Sequence, residues 1–521
     1  MRSGWKQNVT AGVMAFAAGW LVLFATEPYG LGIGPDSVSY LAAARSMLAG
    51  EGVLSYTGRP MVLWPPFYSV MIAATSAVTG FDVMPAARVL AFLAFAATAA
   101  VSCRLFFQYV PRSPLLIYGG CVLAIVSGPM FGNAVWAFSE TLFTLLVLMM
   151  IRLLTVEIRA TSKGPFLAAC LCAGLASLTR YLGVAAIGTG ALAVLFLRPG
   201  RFRKRLGTAM VFGAAASLPL TIWFVRNRLV AGCIAGQRGG AQYALSESMS
   251  CAFDTLLTWF LPSRIVESRP LLLLLGLAVG TLVGYRLREV RPLKILLKQR
   301  IWIVAIYVVA FMALLVLGNM SVATDSINNR LSAPVYLPLI LVVLALVSAL
   351  TTGRLTLWRK VLRASAQFVV LFLLSRPVAE LPSKVTWQRD EGVGGYGSRR
   401  WRQSKTIKAA GAIELRDAEV YSNRPDALYI LADIEARMSL GRWQVDAVVE
   451  SDGDTRNSNS RTNSTQSRLL VWFDDHARRM LASPAELEAV IELKQVARFN
   501  DGTVYRMTPL SAAAEVLLEN R

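Results

Sequence analysis

The stretch that decides the fold runs from Pro35 to Phe67 and reads PDSVSYLAAARSMLAGEGVLSYTGRPMVLWPPF. It follows an apolar run, Val9 to Ala25, of membrane-helix character, and it sets a carboxylate, Asp36, at that helix's mouth. Ser37 to Leu48 places Val38, Leu41 and Leu48 at helical spacing, and Ala42 to Ala44 add helix propensity, so a short helix along the membrane interface is predicted. Trp64-Pro65-Pro66 stops any continuous helix. Phe67 to Val78 then reads as a second interfacial or re-entrant helix of about twelve residues, short for a crossing. A passive membrane anchor needs none of these features.

Outward from this stretch, the chain of 521 residues is 55% hydrophobic, with a mean hydropathy of +0.51. Its apolar residues come in runs of roughly 17 to 23, the pattern of a polytopic membrane protein. The first run is too cleanly apolar for a signal-peptide core, and no small-residue cleavage site precedes Glu27-Pro28, so it reads as a retained helix. Predicted spans are 8-26, 84-106, 114-130, 138-154, 165-181, 184-198, 207-229, 269-286, 301-318, 331-350 and 364-380.

A net charge of +21 invites a nucleic-acid reading, but acids and bases balance beyond Glu380 and the excess lies in short loops between spans. Those loops alternate. One set carries Arg2 and Lys6, then Arg104 and Arg112, then Arg152, Arg159 and Lys163, then Arg198 to Arg205, then the Arg286 to Arg300 stretch, then Arg354 to Arg363. The intervening set is nearly free of basic residues, so the positive-inside rule predicts an N-terminus inside and, after eleven spans, a C-terminal tail outside. Counting Phe67 to Val78 as a span would invert every later loop. The outer face then holds residues 27-83, 131-139, 230-268 and 319-330.

The predicted organisation is a membrane module over 1-380, a Gly/Arg/Trp-rich linker over 381-405 and a small extracytoplasmic α/β domain over 406-521. Its elements read as a strand at Ala418 to Ser422, a helix at Asp426 to Arg437, a strand at Leu469 to Phe473, a helix at Pro484 to Leu493 and a hairpin at Ala497 to Met507. Ser451 to Ser467 has no apolar residue and reads as a disordered insertion, 451-467. Cys103, Cys121, Cys170 and Cys172 fall inside spans as small packing residues. Cys233 and Cys251 share one external loop, where an oxidising compartment would allow a disulfide. The single histidine, His476, reads as a surface residue and argues against a His-rich metal site.

Acids are scarce before the tail, so each outward one carries weight. Asp36 either caps the helix that follows or removes a proton from an acceptor hydroxyl or amine, and the two roles are compatible. Glu140, in Trp136 to Thr141 (WAFSET), either sits favourably in a first helical turn or faces the same aqueous pocket with Ser139. Arg59, Arg88, Arg180, Arg226, Arg264 and Arg330 break the outside's poverty in positive charge. They either snorkel to headgroups or hold a lipid phosphate, whose oxygens suit the guanidinium fork.

An external Asp followed by Tyr40 and a short helix, then Trp64-Pro65-Pro66, then Ala86-Ala87-Arg88, resembles the GT-C superfamily of polyprenyl-phosphate-sugar glycosyltransferases. The nearest resemblance is to bacterial members related to protein O-mannosyltransferases (family 39-like) and to the aminoarabinose transferase of lipid A. Phe138-Ser139-Glu140, Leu178-Thr179-Arg180-Tyr181, Trp223-Phe224-Val225-Arg226-Asn227 and Asn329-Arg330 extend the likeness over roughly residues 8-350. It implies a polyprenyl-phosphate (undecaprenyl-phosphate) sugar donor, an extracytoplasmic acceptor and inversion by direct displacement at a bacterial cytoplasmic membrane. Asp36 would be the base and Glu140 the second acid. Arg59, Arg88, Arg180, Arg226 and Arg330 would bind donor phosphate, while Tyr40, Trp64 and Tyr181 would line the substrate pocket. Relatives often carry a second acid where this chain has Ser37, and Lys where it has Arg180. No cofactor or required metal is expected. A transporter or flippase would call for mid-span charges and broken helices in matching halves, and a non-enzymatic scaffold would leave the first external segment without a reason.

Overall fold

The computed structural model describes residues 2–110, 113–236, 239–268, 301–350, 357–412, 418–453, 468–474, 480–511, 514–515 and 518. The expected span 269-286, His476 and most of the 451-467 insertion lie outside the described residues. The chain divides into two compact units: Met1–Leu31 with Pro60–Arg389, and Gly32–Arg59 with Asp390–Arg521.

In chain order the first helices are α1 (Arg2–Ala25), α2 (Pro35–Leu48), α3 (Phe67–Thr79), α4 (Val83–Tyr109), α5 (Pro114–Val126), α6 (Gly128–Ala134), α7 (Glu140–Ala160) and α8 (Lys163–Thr179). A 3-10 turn at Tyr181–Gly183 leads to α9 (Val184–Leu197), α10 (Phe202–Ala231), α11 (Leu245–Thr258), α12 (Ser263–Glu267), α13 (Trp302–Asn319), α14 (Asn329–Leu350) and α15 (Leu357–Glu391). Apart from α2 and the last two residues of α15, these build the first unit. Among the described residues, seven stretches are long and apolar enough to cross a membrane: Gly4–Ala25, Val83–Tyr109, Pro114–Ala134, Glu140–Ala160, Phe202–Ala231, Trp302–Asn319 and Asn329–Ala349. Two expected spans are shorter, Lys163–Thr179 and Tyr181–Leu197, because the chain reverses sharply between them.

That reversal depends on Gly183. A Cβ there would lie 2.4 Å from the Ser177 backbone, so only glycine lets the turn fold against the last turn of α8. Arg180 stands at the start of the reversal with extended backbone. Gly183→Ala is expected to cost about 1–3 kcal/mol through overpacking against backbone that cannot yield. A fall in the unfolding midpoint of the detergent-solubilised protein measures it, and an unchanged midpoint would contradict the close approach.

Farther along α7, Glu157 is sealed and accepts from Arg198 Nε at 2.8 Å, while Arg198 Nη1 donates to Thr208 Oγ1 at 3.3 Å. This buried pair ties α7 to the segment joining α9 and α10.

The second unit adds α16 (Arg399–Arg402), α17 (Lys405–Ala412), β1 (Glu419–Ser422), α18 (Pro425–Ala432), β2 (Arg437–Met438), α19 (Arg442–Gly453), β3 (Arg468–Phe473), α20 (Pro484–Leu487), β4 (Ile491–Phe499) and β5 (Gly502–Pro509). The sheet order is β2-β1-β3-β5-β4, with β1 parallel to β2 and β3 and a closing antiparallel hairpin, β4 and β5. Every residue of β3 is buried, as a central strand covered on both faces requires. Tyr421, Leu470, Trp472, Leu487 and Ile491 form its core.

Two helices end earlier than their sequences predict. The helix expected over Asp426 to Arg437 stops at Ala432, where Asp433 turns left-handed (φ 55°), and Arg437 pairs with Tyr421 in the sheet. The helix expected over Pro484 to Leu493 lasts only to Leu487, because Ile491 and Leu493 alternate into a strand opposite Pro509 and Met507. Cys233 and Cys251 are free thiols.

The hairpin turn is fixed by Asp501, whose Oδ1 accepts from Thr406 Oγ1 at 2.7 Å and from Thr406 N at 3.3 Å. Burial works to raise the Asp501 carboxyl, but hydrogen bonds from Ser404 and Thr406 prevail and hold it below its ordinary value. A depressed carboxyl contributes stability above its ordinary titration near pH 4, and that stability is lost as pH falls through the folded value. Thr406→Val is therefore expected to flatten the acid limb of thermal stability below about pH 4. Equal pH profiles for the two proteins would refute it.

Candidate active site

Three helix ends bring one carboxylate and two guanidiniums together. Ser139 precedes α7, so Glu140 is its first residue, and both are buried. Glu140 Oε1 accepts from Arg180 Nη1 at 2.6 Å, at the end of α8, and from Arg330 Nε at 2.8 Å, at the start of α14. Arg180 Nη1 also lies 3.3 Å from Ser139 Oγ. Arg330 is held from two further sides. Asn328 Oδ1 accepts from the Arg330 and Leu331 amides at 2.9 and 3.2 Å, and the guanidinium lies 3.8 Å over the Phe138 ring, itself stacked on Trp136.

Exposure separates the partners. The Glu140 side chain is 1% exposed, against 14% for Arg180 and 25% for Arg330. The carboxylate is thus an internal strut, and the guanidiniums are its more exposed partners. Two guanidinium forks held side by side on one carboxylate oxygen suit the oxygens of an anion. Glu140 Oε2 is buried and has no hydrogen-bond partner among the described residues.

Tyr181 and Arg226 serve a different cluster. Tyr181 hydroxyl donates to Val62 carbonyl at 2.7 Å and receives Trp223 Nε1 at 3.1 Å. Arg226 Nη1 donates to Met61 carbonyl at 3.0 Å and to Asn227 Oδ1 at 3.1 Å, with its guanidinium 4.7 Å over Trp223. Together they pin Met61 and Val62, just ahead of half-buried Trp64 and the Pro65-Pro66 stop, against the 3-10 turn and α10. Since Tyr181 directly follows Arg180, the two clusters share one turn.

Arg88 is not gathered with either. Its Nε donates to Thr26 Oγ1 at 2.8 Å and its Nη2 to Leu23 carbonyl at 2.7 Å, closing the C-terminus of α1. Asp36, Tyr40 and Arg59 belong to the second unit. Asp36 is half-buried at the second position of α2, Tyr40 is buried and Arg59 is exposed. Asp36 is not the N-cap: the helix begins one residue earlier, at Pro35, and Gly34 occupies the cap with its amide donating to Ser37 Oγ at 3.1 Å. Pro at the first helical position explains the shift.

Sequence reasoning missed the roles of Asn328 and Gly183. Asn328 carries the ordinary cap signal one residue before Asn329-Arg330, whereas Gly183 differs in nothing local from other span glycines.

Membrane-length helices whose buried carboxylate and arginines meet at helix ends define a multi-pass membrane protein. No known protein family matches the chain, and no curated protein matches it in sequence. In fold, it is similar to ArnT from Cupriavidus metallidurans in the apo state, at TM-score 0.58 and 14% identity over 97% of this chain and 98% of that one. The structure of ArnT bound to undecaprenyl phosphate is similar to the same degree. The arabinofuranosyltransferase AftD from Mycobacteria has TM-score 0.54 at 14% identity, over 96% of this chain and 40% of its own. The Archaeoglobus fulgidus oligosaccharyltransferase complexed with zinc and sulfate has TM-score 0.50 at 11% identity, over 94% of this chain and 72% of its own. The chain thus shares its fold with ArnT, AftD and the archaeal oligosaccharyltransferase.

Proposed function

We propose that the protein is an integral membrane glycosyltransferase that moves a sugar from a polyprenyl-phosphate donor, undecaprenyl phosphate being the lipid, to an extracytoplasmic acceptor at a bacterial cytoplasmic membrane. The carrying observation is the shared grip of Arg180 and Arg330 on one oxygen of buried Glu140, which fixes two guanidiniums side by side. The alternating basic loops support an outward-facing site. ArnT, of the same fold, was solved with undecaprenyl phosphate.

In this reading an acceptor hydroxyl or amine attacks the anomeric carbon, the carbon–oxygen bond to phosphate breaks, and the lipid phosphate leaves with the bonding pair. Asp36 takes the acceptor's proton. Arg180 and Arg330 stabilise the charge that grows on the departing phosphate, and fixed donors do this without reorganising during the reaction. Glu140 acts through them as a positioning residue, because a buried carboxylate paired with two guanidiniums is a poor base. Tyr181 and Arg226 hold the first external segment in place, and Arg88 fastens α1.

Purified protein given radiolabelled undecaprenyl-phosphate sugar and cell-envelope acceptors is expected to transfer label and release undecaprenyl phosphate. Movement of the intact labelled lipid across a liposome membrane, with no undecaprenyl phosphate released, would instead establish a flippase.

A further inference from the structure

The helix that carries Asp36 belongs to the C-terminal unit, although the rest of that unit begins at Asp390. Its attachment is specific. Ile33 forms a parallel bridge with Gly395, its amide donating to Gly394 carbonyl at 3.3 Å, while Tyr396 N donates to Ile33 carbonyl at 2.9 Å. Gly394 and Gly395 have φ of 141° and 56°, so this clasp needs residues without a Cβ. The Gly-rich stretch that reads as a linker is therefore part of a joint.

The joint is locked to the sheet. Tyr396 hydroxyl donates to Asp426 Oδ2 at 2.7 Å, and Asp426 is fully buried in the first turn of α18. Tyr396 also meets Trp401 edge-on at 5.0 Å, and Trp401 packs on Phe473 at the end of β3. Asn423 fixes that strand end from β1, donating to Phe473 carbonyl at 2.8 Å and accepting from its amide at 3.0 Å. The other end of α2 is tied to the same helix, through Arg45 to Asp433 at 3.5 Å and through Tyr56 and Arg45 against the Tyr429 ring.

We propose that Tyr396 and Asp426 are positioning residues for Asp36. The C-terminal α/β unit sets the place and angle of α2, and the Tyr396–Asp426 hydrogen bond transmits that constraint through Ile33 to the first turn, three residues before Asp36. This inference rests on the reading of Asp36 as the base. Small displacements of a reacting group reduce rate far more than affinity, since orientation and not binding is lost.

Tyr396→Phe removes one hydroxyl and keeps the ring packing. It is expected to lower kcat with labelled undecaprenyl-phosphate sugar about 10- to 100-fold while leaving donor KM unchanged. Asp426→Asn keeps an acceptor oxygen for the Tyr396 hydroxyl and is expected to stay within about threefold of the parent rate. In an Asp36→Asn background, Tyr396→Phe should cost nothing further. Amide hydrogen exchange, which needs no substrate, should quicken over residues 36–41 in Tyr396→Phe and not over β3. If Tyr396→Phe does not accumulate as folded protein, Gly395→Ala strains the same clasp in a loop and carries the same expectations.

An unchanged kcat in a protein whose Asp36→Asn variant is inactive would overturn the positioning role alone. A Tyr396→Phe loss that persists in full on top of Asp36→Asn would overturn it too, by showing general damage. Full activity of Asp36→Asn itself would overturn the reading of Asp36 on which the proposal depends.

Discussion

Asp36→Asn is expected to cut sugar transfer by about 10²- to 10⁴-fold, the range that a positioned proton acceptor contributes. The change keeps the side chain's shape and removes its charge. The cap of α2 is made by Gly34 and Ser37 and survives the change, while loss of the carboxylate's place in the first turn costs about 0.3–1 kcal/mol. Initial rates with labelled donor, beside thermal unfolding of parent and variant, separate the two. Full transfer by a stably folded Asp36→Asn protein would remove the residue from the mechanism.

Arg180→Ala is expected to lower kcat by about 10²- to 10³-fold, as loss of one fixed donor to a developing oxyanion does. Its fixed partner, Glu140, gives the experiment a second arm. Glu140→Gln leaves both guanidiniums charged but gives Arg180 a weaker anchor, so the rate falls through lost placement. Since Glu140 acts partly through Arg180, the double variant should lose less than the sum of the two single losses, the remainder falling on Arg330. An Arg180→Ala protein with parental kcat would show that the cluster serves only to join α7, α8 and α14, and strict additivity of the two losses would show that Glu140 does not act through Arg180.

Much of the architecture is legible in the sequence. Apolar runs mark the membrane helices, and α2 and α3 form where helical spacing and Trp64-Pro65-Pro66 place them. The errors fall where local signals compete. Asp433 and the alternation of Ile491 and Leu493 each cut short a helix, since pairing in the sheet outweighs helix propensity over a few residues. Of the ten residues singled out, the structure gathers Glu140, Arg180 and Arg330 around one oxygen and sets Tyr181 and Arg226 on the backbone of Met61 and Val62. Arg88 turns instead to the end of α1. Nothing in the sequence distinguishes these arginines, because each stands near a span end and all are equally capable of reaching headgroups.

The sequence by itself determined a helical membrane chain with alternating basic loops and a small α/β tail, because periodicity, hydropathy and turn chemistry act over a few neighbouring residues. Tertiary structure alone decided that Glu140 pairs with Arg330, 190 positions away, and that the Asp36 helix joins the C-terminal unit. Those outcomes depend on which helix ends meet and where the Gly394-Gly395 clasp closes. Such long-range contacts leave no periodic mark on the residues that make them.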